Sequence, residues 1–217
     1  SESPLLTVFP MPRALRTLSL FIALLGPGSV AAAERSILVF GDSLSAAYGI
    51  AQARGWVALL AQRVAKEHPE YSVANASVSG ETTAGGLARF AGALARHKPA
   101  VVVLELGAND GLRGLPVAQM KSNLAAMIER AQRSNARVVL LGMKLPPNYG
   151  PDYTQAFGSA YGELAGRYKT AFVPFFLEGF AQKPEMFQPD GIHPTEAAQP
   201  QMADAVWRAL QPLLRRR

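Results

Sequence analysis

A handful of residues in this sequence have the types and spacing for acyl-transfer chemistry. Ser43 lies in Gly41-Asp42-Ser43-Leu44-Ser45, directly after the apolar run Ile37–Phe40. Far along the chain, Asp190 and His193 fall within one short turn, Asp190-Gly191-Ile192-His193-Pro194. A hydrolytic serine needs a base to take its proton, a group to orient that base, and donors for the oxyanion. Ser43, His193 and Asp190 supply the first three types. Gly80 lets a backbone N–H approach a reacting carbonyl with no Cβ in the way. Asn109 offers a neutral amide donor that does not titrate. Each residue alone also fits an ordinary turn, since Gly, Asp, Asn and Ser are the common turn formers. Of the other histidines, His68 and His97 sit in charged helix ends and read as solvated or capping residues.

What must position these residues is an alternation of two periodicities. Apolar runs bounded by turn residues occur at 37–40, 71–76, 100–106, 137–141 and 170–174, and each predicts a strand buried on both faces. Between them apolar residues recur at helical spacing: Trp56, Val57, Leu60 and Val64, then Leu87, Phe90, Ala91 and Leu94. Val117 to Ala131 carries a third stripe behind Pro116, and Tyr153 to Tyr168 a fourth with Asp152 as its expected cap. Met202, Val206, Leu210 and Leu213 give the last. Strands alternating with helices predict an α/β fold, a three-layer α/β/α sandwich around a parallel sheet of about five strands. In such sheets ligands bind beyond the carboxyl ends of the strands. The polar, Gly-rich segments GDSLS, NASVSGETTAGG, GANDGLRG and MKLPPNYGPD all leave strands there. Two of these loops carry apolar residues suited to an acyl chain. The segment Gly111–Leu115 is expected to be free to move because of its two glycines, and 146–151 to be stiffened by three prolines. Leu112, Leu115, Tyr149 and Ile192 are the expected substrate-binding residues.

Taken together, Gly41-Asp42-Ser43-Leu44, Gly80, Gly107-Ala108-Asn109-Asp110 and Asp190-Gly191-Ile192-His193-Pro194 resemble the four consensus blocks of the GDSL, or SGNH, hydrolase superfamily. LPPNYGPDYTQAF, VPFFLEG and DGIHPTEAAQP resemble its bacterial periplasmic thioesterase, lysophospholipase and arylesterase members, and the similarity runs from about Ile37 to Leu214. The resemblance implies a flavodoxin-like sheet and a serine esterase acting on carboxylic esters, acyl thioesters or lysophospholipids. It implies Ser43 as nucleophile, His193 as base and Asp190 as its orienter. It further implies an oxyanion hole of the Ser43 and Gly80 N–H groups and the Asn109 amide, with no cofactor and no metal. GxSxG is absent, because Ser45 follows Leu44, which argues against an α/β-hydrolase elbow.

Composition narrows the alternatives. The 217 residues fit one domain, 34–217, with 49% hydrophobic and 18% charged residues. Net charge is +6, but the basic residues are scattered and the longest run is Arg215–Arg217, so no nucleic-acid partner is expected. No cysteine is present, which excludes thiol catalysis, thiolate metal sites and disulfides. Residues 11–33 read as a basic start (Arg13, Arg16), an apolar stretch and a small-residue cleavage site after Ala33. This predicts an exported signal, hence a periplasmic or secreted protein, with residues 1–10 upstream of a candidate initiator Met11. A lipid surface is a compatible partner, and oligomeric state is not legible. The competing functions are a carbohydrate O-deacetylase and a metal-dependent phosphoesterase using Asp42, Asp110, Asp190 and His193. The latter lacks the paired-His spacing of a metal cage.

Overall fold

The computed structural model describes residues 35–214; the expected leader at 1–33 lies outside the described residues. Strands β1 (Arg35–Gly41), β2 (Tyr71–Asn75), β3 (Val101–Glu105), β4 (Arg137–Leu141) and β5 (Ala171–Val173) pair in parallel as a single sheet, ordered β2-β1-β3-β4-β5. Each expected apolar run forms one strand, and the order is that of flavodoxin-like sheets. Burial on both faces holds for the centre of the sheet. All of β3 is buried, as are Ile37–Gly41 of β1 and Val138–Leu141 of β4. It fails for β2 and β5, which are mostly half-buried edge strands. An edge strand lacks a neighbour on one side, so a run as apolar as 71–76 is only partly covered.

Parallel neighbours need crossover connections, which the helices supply. Helices α1 (Trp56–Glu67) and α6 (Gln199–Leu214) pack together. Helix α2 (Thr83–His97) packs on α4 (Val117–Arg133), which packs on α5 (Pro151–Tyr168); a five-residue helix, α3 (Ala108–Leu112), precedes α4. Helices therefore cover both sides of the sheet. The expected stripe of α1 is buried as Trp56, Val57, Leu60 and Val64. In α2 the buried line is instead Thr83, Gly86 and Phe90, and Ala91 is exposed. The rotation follows from Thr83, whose N–H and hydroxyl donate to the buried Asp110 at 2.8 and 2.5 Å. Asp152 does not cap α5: the helix begins at Pro151 after Gly150, with no side-chain cap bond. Among the described residues no helix is long and apolar enough to cross a membrane.

Strand β1 lies between β2 and β3, so the chain winds away from it in both directions. Loops leaving β1 and β3 therefore part at a crevice, the topological switch point where ligands bind in open α/β sheets. Ser43 and Asn109 leave the two strands that flank it.

Candidate active site

The turn carrying Ser43 is built on close contact with β3. Gly41 pairs with Glu105 across the sheet. A Cβ on Gly41 would stand 2.6 Å from Glu105 Oε2 and 2.7 Å from Ser45 Oγ, so only glycine lets the turn settle there. The Asp42 carbonyl accepts from the N–H of Ser45 (3.2 Å) and Ala46 (2.9 Å), while its Oδ1 accepts from Leu44 N–H at 3.0 Å. The Trp56 indole donates to the Leu44 carbonyl at 3.0 Å. Ser43 is left at the bend, 9% exposed.

The histidine arrives on a loop that folds on itself. Asp190 Oδ1 accepts from the N–H of Ile192 (2.9 Å) and His193 (3.0 Å), and Oδ2 accepts His193 Nδ1–H at 2.7 Å. The His193 backbone N–H, its ring and the Ile192 N–H hold the Asp190 carboxyl down at about 2, below its ordinary 3.8. With Nδ1 donating, Nε2 presents its lone pair, and Ser43 Oγ–H donates to it at 2.9 Å. Gln188 fastens this loop to the nucleophile turn. Its backbone N–H donates to the His193 carbonyl (2.8 Å), and its side-chain amide to the carbonyls of Pro194 (3.1 Å) and Tyr48 (2.8 Å). The exposed Tyr48 ring lies against the imidazole, centroids 4.4 Å apart.

Asn109, in the first turn of α3, donates through Nδ2 to Asp42 Oδ2 at 3.0 Å, leaving the second amide hydrogen unused by that bond. Gly80 follows a loop tied to the nucleophile turn by Val78 N–H to the Gly41 carbonyl (3.0 Å), and Arg113 donates to the Gly80 carbonyl at 3.0 Å. Among the described residues no protein acceptor takes the N–H of Ser43 or Gly80. Burial pushes the Asp42 carboxyl up to about 6, opposed by the Leu44 N–H and the Asn109 amide.

A mostly apolar cleft of about 510 Å³ opens beside this constellation. Ser43, Asn109 and His193 line it together with Leu112, Leu145, Leu177, Phe187 and Ile192. Its size is that of small-molecule sites. A groove of about 620 Å³ between the end of β5 and α6 contains none of these residues.

Two of the expected substrate residues, Leu112 and Ile192, line the cleft, and two do not. Leu115 is 39% exposed outside it, its carbonyl accepting from Tyr153 Oη. Tyr149 is spent on a brace, donating through Oη to the Leu112 carbonyl at 3.0 Å. Nor is 111–115 a free segment. Gly111 is buried where a Cβ would meet Phe157 at 2.5 Å and Leu145 at 2.7 Å, so this glycine marks tight packing rather than mobility. Asp42 and Asp110, weighed as metal ligands, are both engaged by protein donors. Sequence reading passed over Glu105, although a carboxyl inside Val101–Leu106, wholly buried, was a signal in itself. It also passed over the cleft wall of Leu177 and Phe187, which lie beyond β5 in irregular structure with no periodicity to read.

Known proteins resemble this chain in sequence and in fold. Residues 39–199 match the model of the GDSL-like lipase/acylhydrolase family. The chain is 56% identical over 183 residues to the esterase TesA of Pseudomonas aeruginosa, covering 84% of this chain and 91% of that one. It is 42% identical over 184 residues to the thioesterase 1/protease 1/lysophospholipase L1 of Escherichia coli, covering 85% and 87%. The crystal structure of a psychrotrophic esterase EstA from Pseudoalteromonas sp., inhibited by monoethylphosphonate, superposes with a TM-score of 0.78 at 40% identity, covering 83% and 98%. With the sheet order, the Ser43–His193 contact and these likenesses in hand, the chain belongs to the GDSL-like lipase/acylhydrolase family and is a serine hydrolase of ester bonds.

Proposed function

We propose that Ser43, His193 and Asp190 hydrolyse acyl esters through an acyl-enzyme, with the acyl chain in the cleft bounded by Leu112, Leu177, Phe187 and Ile192. The observation that carries this reading is the unbroken chain from Ser43 Oγ to His193 Nε2 (2.9 Å) and from Nδ1 to Asp190 (2.7 Å) at the mouth of an apolar cleft. Ser43 Oγ attacks the carbonyl carbon as Nε2 takes its proton, and Asp190 stabilises the imidazolium without itself being protonated. The Ser43 and Gly80 N–H groups and the free hydrogen of the Asn109 amide receive the oxyanion. His193 then protonates the departing alcohol or thiol. Water, deprotonated by the same imidazole, releases the acid.

The substrate class that fits is an acyl ester or thioester with several methylenes in the acyl part, including a lysophospholipid. The four large apolar residues that stand exposed among those described, Tyr48, Val78, Leu115 and Ile192, all belong to loops at this edge of the sheet. They suit an ester presented at a lipid surface. The deciding experiment treats the protein with a fluorophosphonate and maps the adduct. Labelling at Ser43, abolished in Ser43→Ala, is the expected result; hydrolysis of nitrophenyl esters without labelling would overturn the mechanism. The catalytic domain is 34–217 and works after export. Amino-terminal sequencing of periplasmic or secreted protein that begins at Glu34 would bear this out, and an intact leader on active protein would refute it.

A further inference from the structure

We propose that Glu105 is a positioning residue for the reaction, fixing the turn that carries Ser43 and, through Asp42, the amide of Asn109. Its side chain is wholly buried at the end of β3, directly beneath the nucleophile turn. Glu105 Oε2 accepts from Ser45 Oγ–H at 2.6 Å and from the Asp42 backbone N–H at 3.3 Å, so it grips the turn on both sides of Ser43. The Glu105 and Asp42 carboxyls are both buried and near enough that the charge of Asp42 bears on Glu105. Asp42 in turn orients Leu44 N–H through Oδ1 and the Asn109 amide through Oδ2. One buried side chain thus reaches both the nucleophile and an oxyanion donor, with no contact to the cleft of its own.

Two adjacent buried carboxyls are stable only if they share one negative charge. The charge belongs on Asp42, which has N–H donors on both oxygens, and the proton on Glu105, whose other oxygen Oε1 accepts from no donor. Burial and the Asp42 charge both push Glu105 well above the ordinary carboxylate range, in accord with this assignment. The ionisable groups that bear on the pair are Tyr161 from α5, whose titration is raised first by burial and then by Glu105, Asp110 and Asp42, and His193, whose charge favours ionised Asp42. A neutral acid here does two things: Oε2 accepts from Ser45 Oγ–H and the Asp42 N–H, and the retained proton keeps a second negative charge away from Asp42. Glutamine has the same two functions in the same shape.

This inference rests on the esterase reading above, so fluorophosphonate labelling of the unaltered protein is the control: without it that reading fails, whatever Glu105 does. Given labelling, Glu105→Gln should keep kcat for a short nitrophenyl ester within about threefold, while Glu105→Leu lowers kcat by about tenfold or more at nearly constant KM. In an Asn109→Ala background the Glu105→Leu loss should shrink, because the two residues act in one path. Should Glu105→Leu not fold, Ser45→Ala removes the same grip, and a severalfold fall in kcat at constant KM is expected. Folding wild type must keep a proton on Glu105 that the unfolded chain releases above its ordinary pKa. Stability relative to Glu105→Gln therefore falls as pH rises above the ordinary value of 4.5, a gap that a packing role alone would not open. A Glu105→Gln enzyme as impaired as Glu105→Leu, or a folded Glu105→Leu or Ser45→Ala enzyme with unchanged kcat, would overturn the proposal.

Discussion

Two carboxyl environments meet at Ser43, and they are built in opposite ways. On the base side, Asp190 stands on an exposed loop and gains three hydrogen bonds from residues at most three positions away. On the floor side, Asp42 and Glu105 are 0% exposed; beside the local Leu44 N–H, their bonds join β1 and β3 through Ser45 Oγ and the Asp42 N–H to Glu105, and through the Asn109 amide to Asp42. Donors outweigh desolvation at Asp190 and hold it at about 2; desolvation outweighs donors at Asp42 and raises it to about 6. The contrast separates two tasks. A base must turn over protons at a solvated edge, whereas an oxyanion donor must be held still in a place where water does not compete.

The comparison can be broken most severely at its centre. Ser43→Ala or His193→Ala should cost about four to six orders of magnitude in kcat with the fold retained, since the triad acts as a unit. Near-normal turnover by a folded Ser43→Ala protein would refute it. Next comes the floor: Asn109→Ala should lower kcat about 10²–10³-fold with little change in KM, as for loss of one oxyanion donor. If KM rises alone, Asn109 binds substrate instead.

The two environments should then differ in the sign of their pH dependence. Asp190 has a lowered folded pKa, so the stability it contributes is present above its ordinary value of 3.8 and is lost as pH falls towards about 2. Tm of wild type minus that of Asp190→Asn should therefore shrink on acidification through that window. The size will be modest, because the carboxyl is solvent-exposed and screened. For Asp42, raised to about 6, the sign reverses: the folded state holds more protons between 3.8 and about 6, so stability falls as pH rises through that range. Denaturant titrations at a series of pH values check both signs, and like slopes for the two would erase the distinction.

The smallest effects belong to the cleft wall. Leu112→Ala and Ile192→Ala should lower kcat/KM for medium-chain esters more than for acetates, by about 0.8 kcal/mol for each acyl methylene that the shortened side chain leaves in water. Leu115→Ala should show no chain-length dependence, because Leu115 lies outside the cleft. Equal losses across a chain-length series for all three would move the acyl site elsewhere.

The sequence alone determined what is local or periodic. Apolar runs bounded by turns placed five strands, helical stripes placed the covering helices, and Asp190-Gly191-Ile192-His193 closed its own turn because three residues suffice for Asp190 to reach the imidazole. The four motif blocks pointed to Ser43, Asn109 and His193 before any contact was known. The tertiary structure decided what depends on neighbours distant in the chain. Only the pairing of β1 with β3 brings Glu105 under Gly41, so a charge in an apolar strand acquires its partners, and its proton, from the fold. Only the packing of Phe157 from α5 and of Leu145 against α3 turns Gly111 from an apparent hinge into a fixed contact, and only the approach of the loop before α5 to Leu112 has Tyr149 brace a carbonyl rather than line a pocket. Backbone periodicity is written in each segment, but desolvation and side-chain contact exist only once segments from different parts of the chain have met.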